Sequence, residues 1–328
     1  MKYRVLGRTG LKFSELGIGG HEYRRMLNPI HFKIERNLKE FLETQPQRNK
    51  LIEKAINAGI NFFESSLMEE AESLGLALKA LGRREDVYLS AMLVFPFRML
   101  KDEPSSRWRD ILLEALEGRF RLLQTNHIDI FHVHMPEDNY SPERLKATLE
   151  ALGELKAQGR IGFIGTSSHE LPFLAELIRK YDCFDEVMVM YNYHLQEARE
   201  ILFPLCKALN IGVVVMKPLS WPYYGIPFTY FCMDEVKPNS YTPAQTSIHW
   251  ILKAPEVTTV VPSVNNVLEL EENLSAFTTE YRVDDGVLKR CLKTAQGPRG
   301  KEILQRLVEH PAKDIRSYAK EALECMSF

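Results

Sequence analysis

The chain has 328 residues, 45% hydrophobic and 26% charged, which is enough apolar material for one large core and too much for a disordered chain. A formal net charge of -2, with Lys and Arg scattered, gives no basic field for nucleic acid and no polybasic patch for a membrane surface. Met1-Lys2-Tyr3-Arg4 leads into strand-like alternation rather than an apolar signal core, and no stretch reaches membrane-spanning length, so a cytoplasmic protein is expected.

In chain order, Tyr3-Arg4-Val5-Leu6-Gly7 and Leu11-Lys12-Phe13 flank the turn Arg8-Thr9-Gly10, which predicts a hairpin plugging the end of the domain that follows. A short strand is expected over 16–19. Gly17-Ile18-Gly19-Gly20 within it lacks the third spaced glycine of a dinucleotide fingerprint and reads as close packing. Residues 22–45, with Arg24, Arg25, His31 and Lys33, form a long mixed segment and a candidate lid. From Gln47 onward helical patterns over 47–58, 74–81, 107–123, 142–157, 171–181, 196–209 and 243–252 alternate with apolar strands. These strands fall over 60–63, 87–92, 128–134, 161–165, 186–191, 211–216 and 258–261. With the strand over 16–19 that makes eight, and an unbroken βα alternation favours a closed (β/α)8 TIM barrel over a doubly wound sheet.

In such a barrel the loops after the strands form the ligand face. Residues 221–242, after the seventh strand, are rich in aromatics: Trp221, Tyr223, Tyr224, Phe228, Tyr230 and Phe231. Beyond the barrel, 302–328 carries two amphipathic helical patterns broken at His310-Pro311, a tail that can pack on the barrel or on a protein partner. The expected division is a barrel over 1–295 and a helical extension over 296–328. Cys183, Cys206, Cys232, Cys291 and Cys325 form no CxxC pair, so no zinc or iron-sulfur site is written locally and reduced thiols are expected.

His132 and His134 fall on one face of the strand over 128–134. His134 is at the strand's C-terminal end, where side chains face the pocket, and His132 is a layer deeper, where a structural role is expected. Two imidazoles on one strand would need further ligands to hold a metal, and no local motif supplies them, so no metal is expected.

Several segments in the same order resemble the aldo-keto reductases: Tyr3 to Gly10, Leu16-Gly17-Ile18-Gly19-Gly20, Ala58-Gly59-Ile60-Asn61-Phe62-Phe63, Leu74-Gly75-Leu76-Ala77-Leu78, Ile128 to His134, Gly165-Thr166-Ser167-Ser168, Tyr191-Asn192, Pro218-Leu219 and Glu271-Glu272-Asn273-Leu274. The resemblance covers all but the tail after about Gln296 and the long first loop. It implies hydride transfer between a nicotinamide nucleotide and a carbonyl, with a Tyr hydroxyl protonating the alkoxide beside an Asp, a Lys and a His.

Only the His survives here, as His134. Glu64 stands at the Asp position, no Tyr lies between Asn61 and Arg84, and Ala91-Met92 replaces the family's Thr-Lys. Counting straight on puts Glu69 at the Tyr position, although this stretch is shorter than the family pattern. Glu64 or Glu69 in a pocket made apolar by Met92 can supply a proton while His134 orients the substrate oxygen. Equally, Glu69-Glu70 can simply open the following helix, where carboxylates suit the helix dipole. Tyr23 is a further candidate replacement for the acid.

The resemblance also assigns a cofactor site to Gly20, Ser167, Ser168, Met188, Met216, Lys217, Leu219, Asn266, Glu272 and Asn273. Pro262-Ser263-Val264-Asn265-Asn266 has no Lys or Arg where NADPH-preferring members hold the 2′-phosphate, so NADP(H) and NAD(H) both stay open. The expected function is an oxidoreductase acting on a small carbonyl or alcohol by an altered site. A catalytically silent nucleotide-sensing or protein-binding barrel, and a nonredox lyase or isomerase using Glu64 and His134, are the alternatives.

Overall fold

Two short antiparallel strands, β1 (Tyr3–Val5) and β2 (Lys12–Ser14), open the chain. Then follow α1 (Leu38–Asn57), β3 (Phe62–Ser65), α2 (Met68–Leu81), β4 (Tyr88–Val94), α3 (Pro96–Met99), α4 (Ser105–Leu123), β5 (Ile128–His134), α5 (Pro142–Ala157), β6 (Ile161–Ser167) and α6 (Leu171–Lys180). After them come β7 (Glu186–Met190), α7 (Ala198–Ile201), α8 (Phe203–Leu209), β8 (Gly212–Met216), α9 (Pro243–Leu252), β9 (Val257–Val261), α10 (Val267–Ser275), α11 (Gly286–Gln296), α12 (Pro298–Leu307) and α13 (Lys313–Cys325). The source is a computed structural model describing residues 1–20, 38–94, 96–137, 140–278, 280, 283–284, 286–311 and 313–326.

Strands β3 to β9 form one sheet in sequence order, all parallel. The expected first strand over 16–19 appears as bridges that close it: Leu16 pairs with Val260 on β9 and Ile18 with Phe63 on β3. Gly17 N–H donates to Val260 O at 2.9 Å and Glu64 N–H to Ile18 O at 2.9 Å, so the segment zips the two edges together. The result is the (β/α)8 barrel, in which parallel strands buried on both faces suit β-branched runs such as Val213-Val214-Val215.

The period of two along each strand divides barrel interior from helix layer. Phe62, Met92, Ile130, Met188, Val214 and Val261 form the inner cluster, and Leu6 and Phe13 from the hairpin complete it. Phe13 stacks on Phe62 with ring centroids 4.2 Å apart, so the hairpin plugs the barrel's N-terminal end. Gly7, at φ +46, lies so close to the β8 entrance that a Cβ there would meet Gly212 N at 2.4 Å. The chemistry is therefore confined to the opposite end.

Several boundaries differ from the expectation. Helix α1 starts at Leu38 rather than Gln47 and runs through Pro46, which lies exposed within it; the missing proline N–H weakens one turn without ending the helix. The pattern over 196–209 breaks at Leu202 into α7 and α8 because Pro204 sits in the first turn of α8 and cannot continue the α7 ladder. The candidate lid over 22–45 and Tyr23 lie outside the described residues, apart from 38–45, which belong to α1.

One expectation about the thiols is overturned. Cys232 and Cys291 form a disulfide, with Cα atoms 5.2 Å apart, that ties the aromatic loop after β8 to α11. A separation of 59 residues hides the pair from any local spacing. Cys183, Cys206 and Cys325 are free. The same loop receives the tail: Ile226 and Phe231 pack with Leu304 and Leu307 of α12 and Ile315, Ala319 and Ala322 of α13. The last two helices thus pack apolar residues on this chain's own loop.

Candidate active site

The C-terminal ends of the parallel strands bring together residues far apart in sequence. On the inner face, His134 of β5 is in register with Val94 of β4 and Ser167 of β6, and Ser167 with Met188 of β7. His134 Nδ1 lies 3.3 Å from Ser167 Oγ. His169, just past β6, meets His134 edge-on at 5.4 Å between ring centroids. Lys217, just past β8, places Nζ 2.9 Å from His169 Nε2 and 4.7 Å from the centre of the Tyr224 ring. Lys217 has φ +53, a left-handed conformation uncommon outside glycine, which turns its side chain into this cluster.

Burial sets the protonation of the group. His134 is pushed down to about 4, first by burial and then by the Lys217 charge, with Glu170 opposing. Lys217 is lowered to about 8 by burial, against the pull of Glu64. At neutral pH the cluster therefore presents a neutral imidazole beside an ammonium group.

One layer deeper, His132 is fully buried, with Nδ1 2.7 Å from Ser90 Oγ and Nε2 bonded to Glu186 Oε2. A Cβ on Gly165 would meet both Glu186 Oε2 and His132 Cδ2 at 2.4 Å, so only glycine lets the pair cross this stave. The pair is sealed from the pocket and holds the barrel interior together.

Glu64, 4% exposed, also lies on the inner face. Its Oε1 accepts from Ser66 Oγ and its Oε2 from Gly20 N–H at 3.3 Å. Glu69 sits in the first turn of α2, half-buried, and its charge acts on Arg119 of α4. Its neighbour Glu70 accepts from Ser66 N–H and Leu67 N–H, both at 2.8 Å, and so closes the start of the helix. The structure thus puts Glu64 and His134 on the barrel interior and Glu69 on the surrounding helix.

Of the residues assigned to the cofactor, Ser167 and Ser168 are buried at the end of β6, Met188 is in the middle of β7 within the inner cluster, and Met216 packs half-buried against that cluster. Ser168 Oγ donates to Glu170 Oε2 at 2.6 Å. Gly20 is pressed against Glu64 O, where a Cβ would come within 2.8 Å. Leu219 packs beside Trp221, Phe228 and Cys232. Asn266 caps α10, accepting from Glu269 N–H at 3.0 Å, while Glu272 is half-buried and Asn273 3% exposed on that helix. Glu269 Oε2 accepts from Asn265 N–H at 2.7 Å, laying a carboxylate over the start of α10.

These residues fit a nicotinamide nucleotide unevenly. Buried hydroxyls at Ser167 and Ser168 suit a neutral carboxamide, while the α10 N-terminus, capped by Asn266 and covered by the Glu269 carboxylate, is a poorer seat for phosphate. Glu269 suits no additional phosphate. Sequence reasoning missed His169 and the individual role of Tyr224. His169 directly follows Gly165-Thr166-Ser167-Ser168 at a strand end, a position that could have flagged it; which member of the aromatic loop would turn inward is not written in the sequence.

Comparison with known proteins agrees with this architecture. Residues 42–223 and 235–292 match the model of the Aldo/keto reductase family. The chain is 25% identical over 301 residues to L-galactose dehydrogenase of Arabidopsis thaliana, covering 85% of this chain and 88% of that protein. It is 24% identical to the uncharacterized oxidoreductase YqkF of Bacillus subtilis, covering 88% and 94%. Among solved structures, the holo form of aldo-keto reductase AKR11C1 from Bacillus halodurans superimposes with a TM-score of 0.66 at 22% identity, over 90% of this chain and 96% of that one.

Proposed function

The chain belongs to the aldo/keto reductase family of oxidoreductases, and from that premise we propose that it interconverts a small polar carbonyl compound and its alcohol at the His134 pocket, with a nicotinamide nucleotide. The observation that carries this reading is the placement of His134, neutral and half-buried at the end of β5, beside the buried hydroxyl of Ser167. Bound at the ends of β6 to β9, the nucleotide would supply or accept hydride. The neutral His134 imidazole can give a hydrogen bond to the substrate oxygen, fixing the carbonyl and stabilising the charge that builds on it. Met92, Met188 and Met216 line the interior below and exclude water. Glu64, with both oxygens accepting hydrogen bonds, is held in the pocket floor, and Glu69 has no part in the step.

Ser167, Ser168 and Asn273 would hold the nucleotide's amide and adenosine ends, with Gly20, Met188, Met216, Leu219, Asn266 and Glu272 around it. The absence of Lys or Arg over 262–266 supports NADH over NADPH, since a 2′-phosphate would find no cation there. A cytoplasmic setting remains part of the reading, and L-galactose dehydrogenase makes sugar-like polyols and lactols a sensible first substrate panel.

The test is titration of NADH and NADPH while following tryptophan fluorescence, for which Trp221, packed with Leu219, is well placed. Tighter NADH binding, with turnover of small aldehydes or ketones, is the expected outcome. No binding of either nucleotide would sink the reading. Binding without turnover of any carbonyl would favour a nucleotide-sensing barrel, which the replacement of Tyr and Lys otherwise supports.

A further inference from the structure

We propose that Lys217 is the proton donor of the reaction, a catalytic residue on the rim of β8 that takes over the task of the missing tyrosine. The inference rests on the carbonyl-reductase reading above.

Geometry carries it. Any donor must reach the oxygen that His134 orients. Lys217 Nζ is 2.9 Å from His169 Nε2, and His169 stands edge-on to His134 at 5.4 Å, so ammonium and imidazole flank the same His169 ring, and the Lys217 charge is felt at His134. The left-handed backbone at Lys217 points the side chain inward, and the Tyr224 ring face, 4.7 Å from Nζ, backs the cation.

The other candidates are held elsewhere or have no proton to give. Glu64 is tied to the base of the loop after β3 by hydrogen bonds from Ser66 Oγ and Gly20 N–H. Tyr224 shows Nζ its ring face, and burial raises its hydroxyl further from neutrality. His134, pushed down to about 4, carries no second proton at neutral pH. Lys217, lowered to about 8, is protonated there yet close enough to the working pH to transfer readily. The groups facing Nζ are His169 from the turn before α6, His134 from β5, Glu64 from β3 and Tyr224 from the loop. Glu170 acts on His134, and Tyr318 and Glu321 of α13 act on Tyr224.

Reduction adds a hydride from the reduced nicotinamide nucleotide to the carbonyl carbon, and the C=O π pair moves to oxygen. Lys217 Nζ–H passes its proton to that oxygen, leaving a neutral amine and the alcohol. Water restores the proton to Nζ by way of His169. The net change is carbonyl, reduced nucleotide and one proton to alcohol and oxidised nucleotide.

Wild type is compared with Lys217→Met, Lys217→Arg and Tyr224→Phe by three measurements. These are nucleotide affinity by tryptophan fluorescence, kcat/KM against pH, and NMR titration of reductively 13C-methylated protein, with Lys217→Met identifying the Lys217 signal. We expect the methylated Lys217 to titrate near about 8 and wild-type reduction to fall as pH rises through about 8. Lys217→Met should keep its nucleotide affinity but lose turnover by about 10²–10⁴-fold together with that pH limb. Lys217→Arg should restore little, because guanidinium does not release its proton near neutrality, and Tyr224→Phe should retain the limb. The proposal is overturned if Lys217→Met keeps the wild-type limb, if its loss is confined to nucleotide affinity and vanishes at saturation, or if Lys217 titrates at an ordinary lysine value. A wild type that turns over no carbonyl overturns the reductase reading and this proposal with it; turnover with an unmoved limb overturns the proposal alone.

Discussion

His132 and His134 are two residues apart on β5 and share its inner face, yet the barrel shifts their basicity in opposite directions. Burial opposes charge on both. At His132 it is outweighed by the charge and hydrogen bond of Glu186, with help from Glu64 and the Ala91 carbonyl, and the imidazole is raised. At His134 the nearest charge is Lys217, which reinforces burial, and the imidazole falls to about 4. The deeper imidazole shares a proton within a buried pair whose Glu186 carboxyl is itself raised by burial, and the outer one is held neutral at the strand end. One step of two residues along a strand moves a side chain from a sealed layer to the rim, where the proposed chemistry is placed.

The sharpest way to break that contrast is to remove half of the deep pair. Glu186→Ala leaves the His132 imidazole buried, neutral and without its Nε2 partner, and is expected to cost about 3 kcal/mol, the upper end for an unsatisfied buried polar group. Replacing both as His132→Leu with Glu186→Met should cost far less, since an apolar pair of similar volume loses no solvated charge. Chemical denaturation of the two variants measures the difference. If the single and double changes are equally destabilising, the pair is not acting as a unit.

At the rim the expected loss is of function rather than fold. His134→Ala should reduce kcat/KM by about 10²-fold, the scale of one lost oxyanion-directed hydrogen bond, while the melting temperature stays near wild type. Unchanged turnover would remove His134 from the site. The same residue makes a separate acid prediction. Its folded value, about 4, lies below its ordinary 6.5, so native and unfolded chains bind the same proton count above 6.5. As pH falls from 6.5 toward 4 the unfolded chain takes up a proton that the native chain refuses, and stability falls by up to about 3 kcal/mol before levelling. His134→Asn should lose that part of the slope in denaturation curves taken across this window.

The contrast was partly legible in the sequence. The alternation of strand and helix patterns predicts the barrel, and the period of two puts His132 and His134 on one face with His134 nearer the mouth. What joins them to the rest is not local. Glu186 is 54 residues from His132, and His169 is 48 from Lys217. Lys217 is assigned to the cofactor by resemblance, and its contact with His169 was not legible, because the sequence does not reveal the left-handed backbone at that position. Cys232 and Cys291 read as thiols for the same reason, since only the folding of the loop onto α11 brings them together. Residues that belong to a strand end were readable, and residues that depend on the direction of a loop were not.

The smallest effect is expected where the family pattern is most visibly broken. Met92 is 5% exposed in the inner cluster, in register with His132 on β5. Met92→Lys restores the family's residue type at the depth of the deeper histidine layer. The new ammonium would be desolvated, with the carboxylates of Glu64 and Glu186 on the same inner face to offset that cost, so we expect a net change within about 2 kcal/mol. Carbonyl turnover and its pH limb should not change, because the Tyr that such a lysine activates is absent and Lys217 stands at the rim, one strand end away from this depth. A large gain in turnover from Met92→Lys alone would mean that a hydroxyl group already fills the tyrosine's place, and the division between a structural layer and a chemical rim would have to move inward.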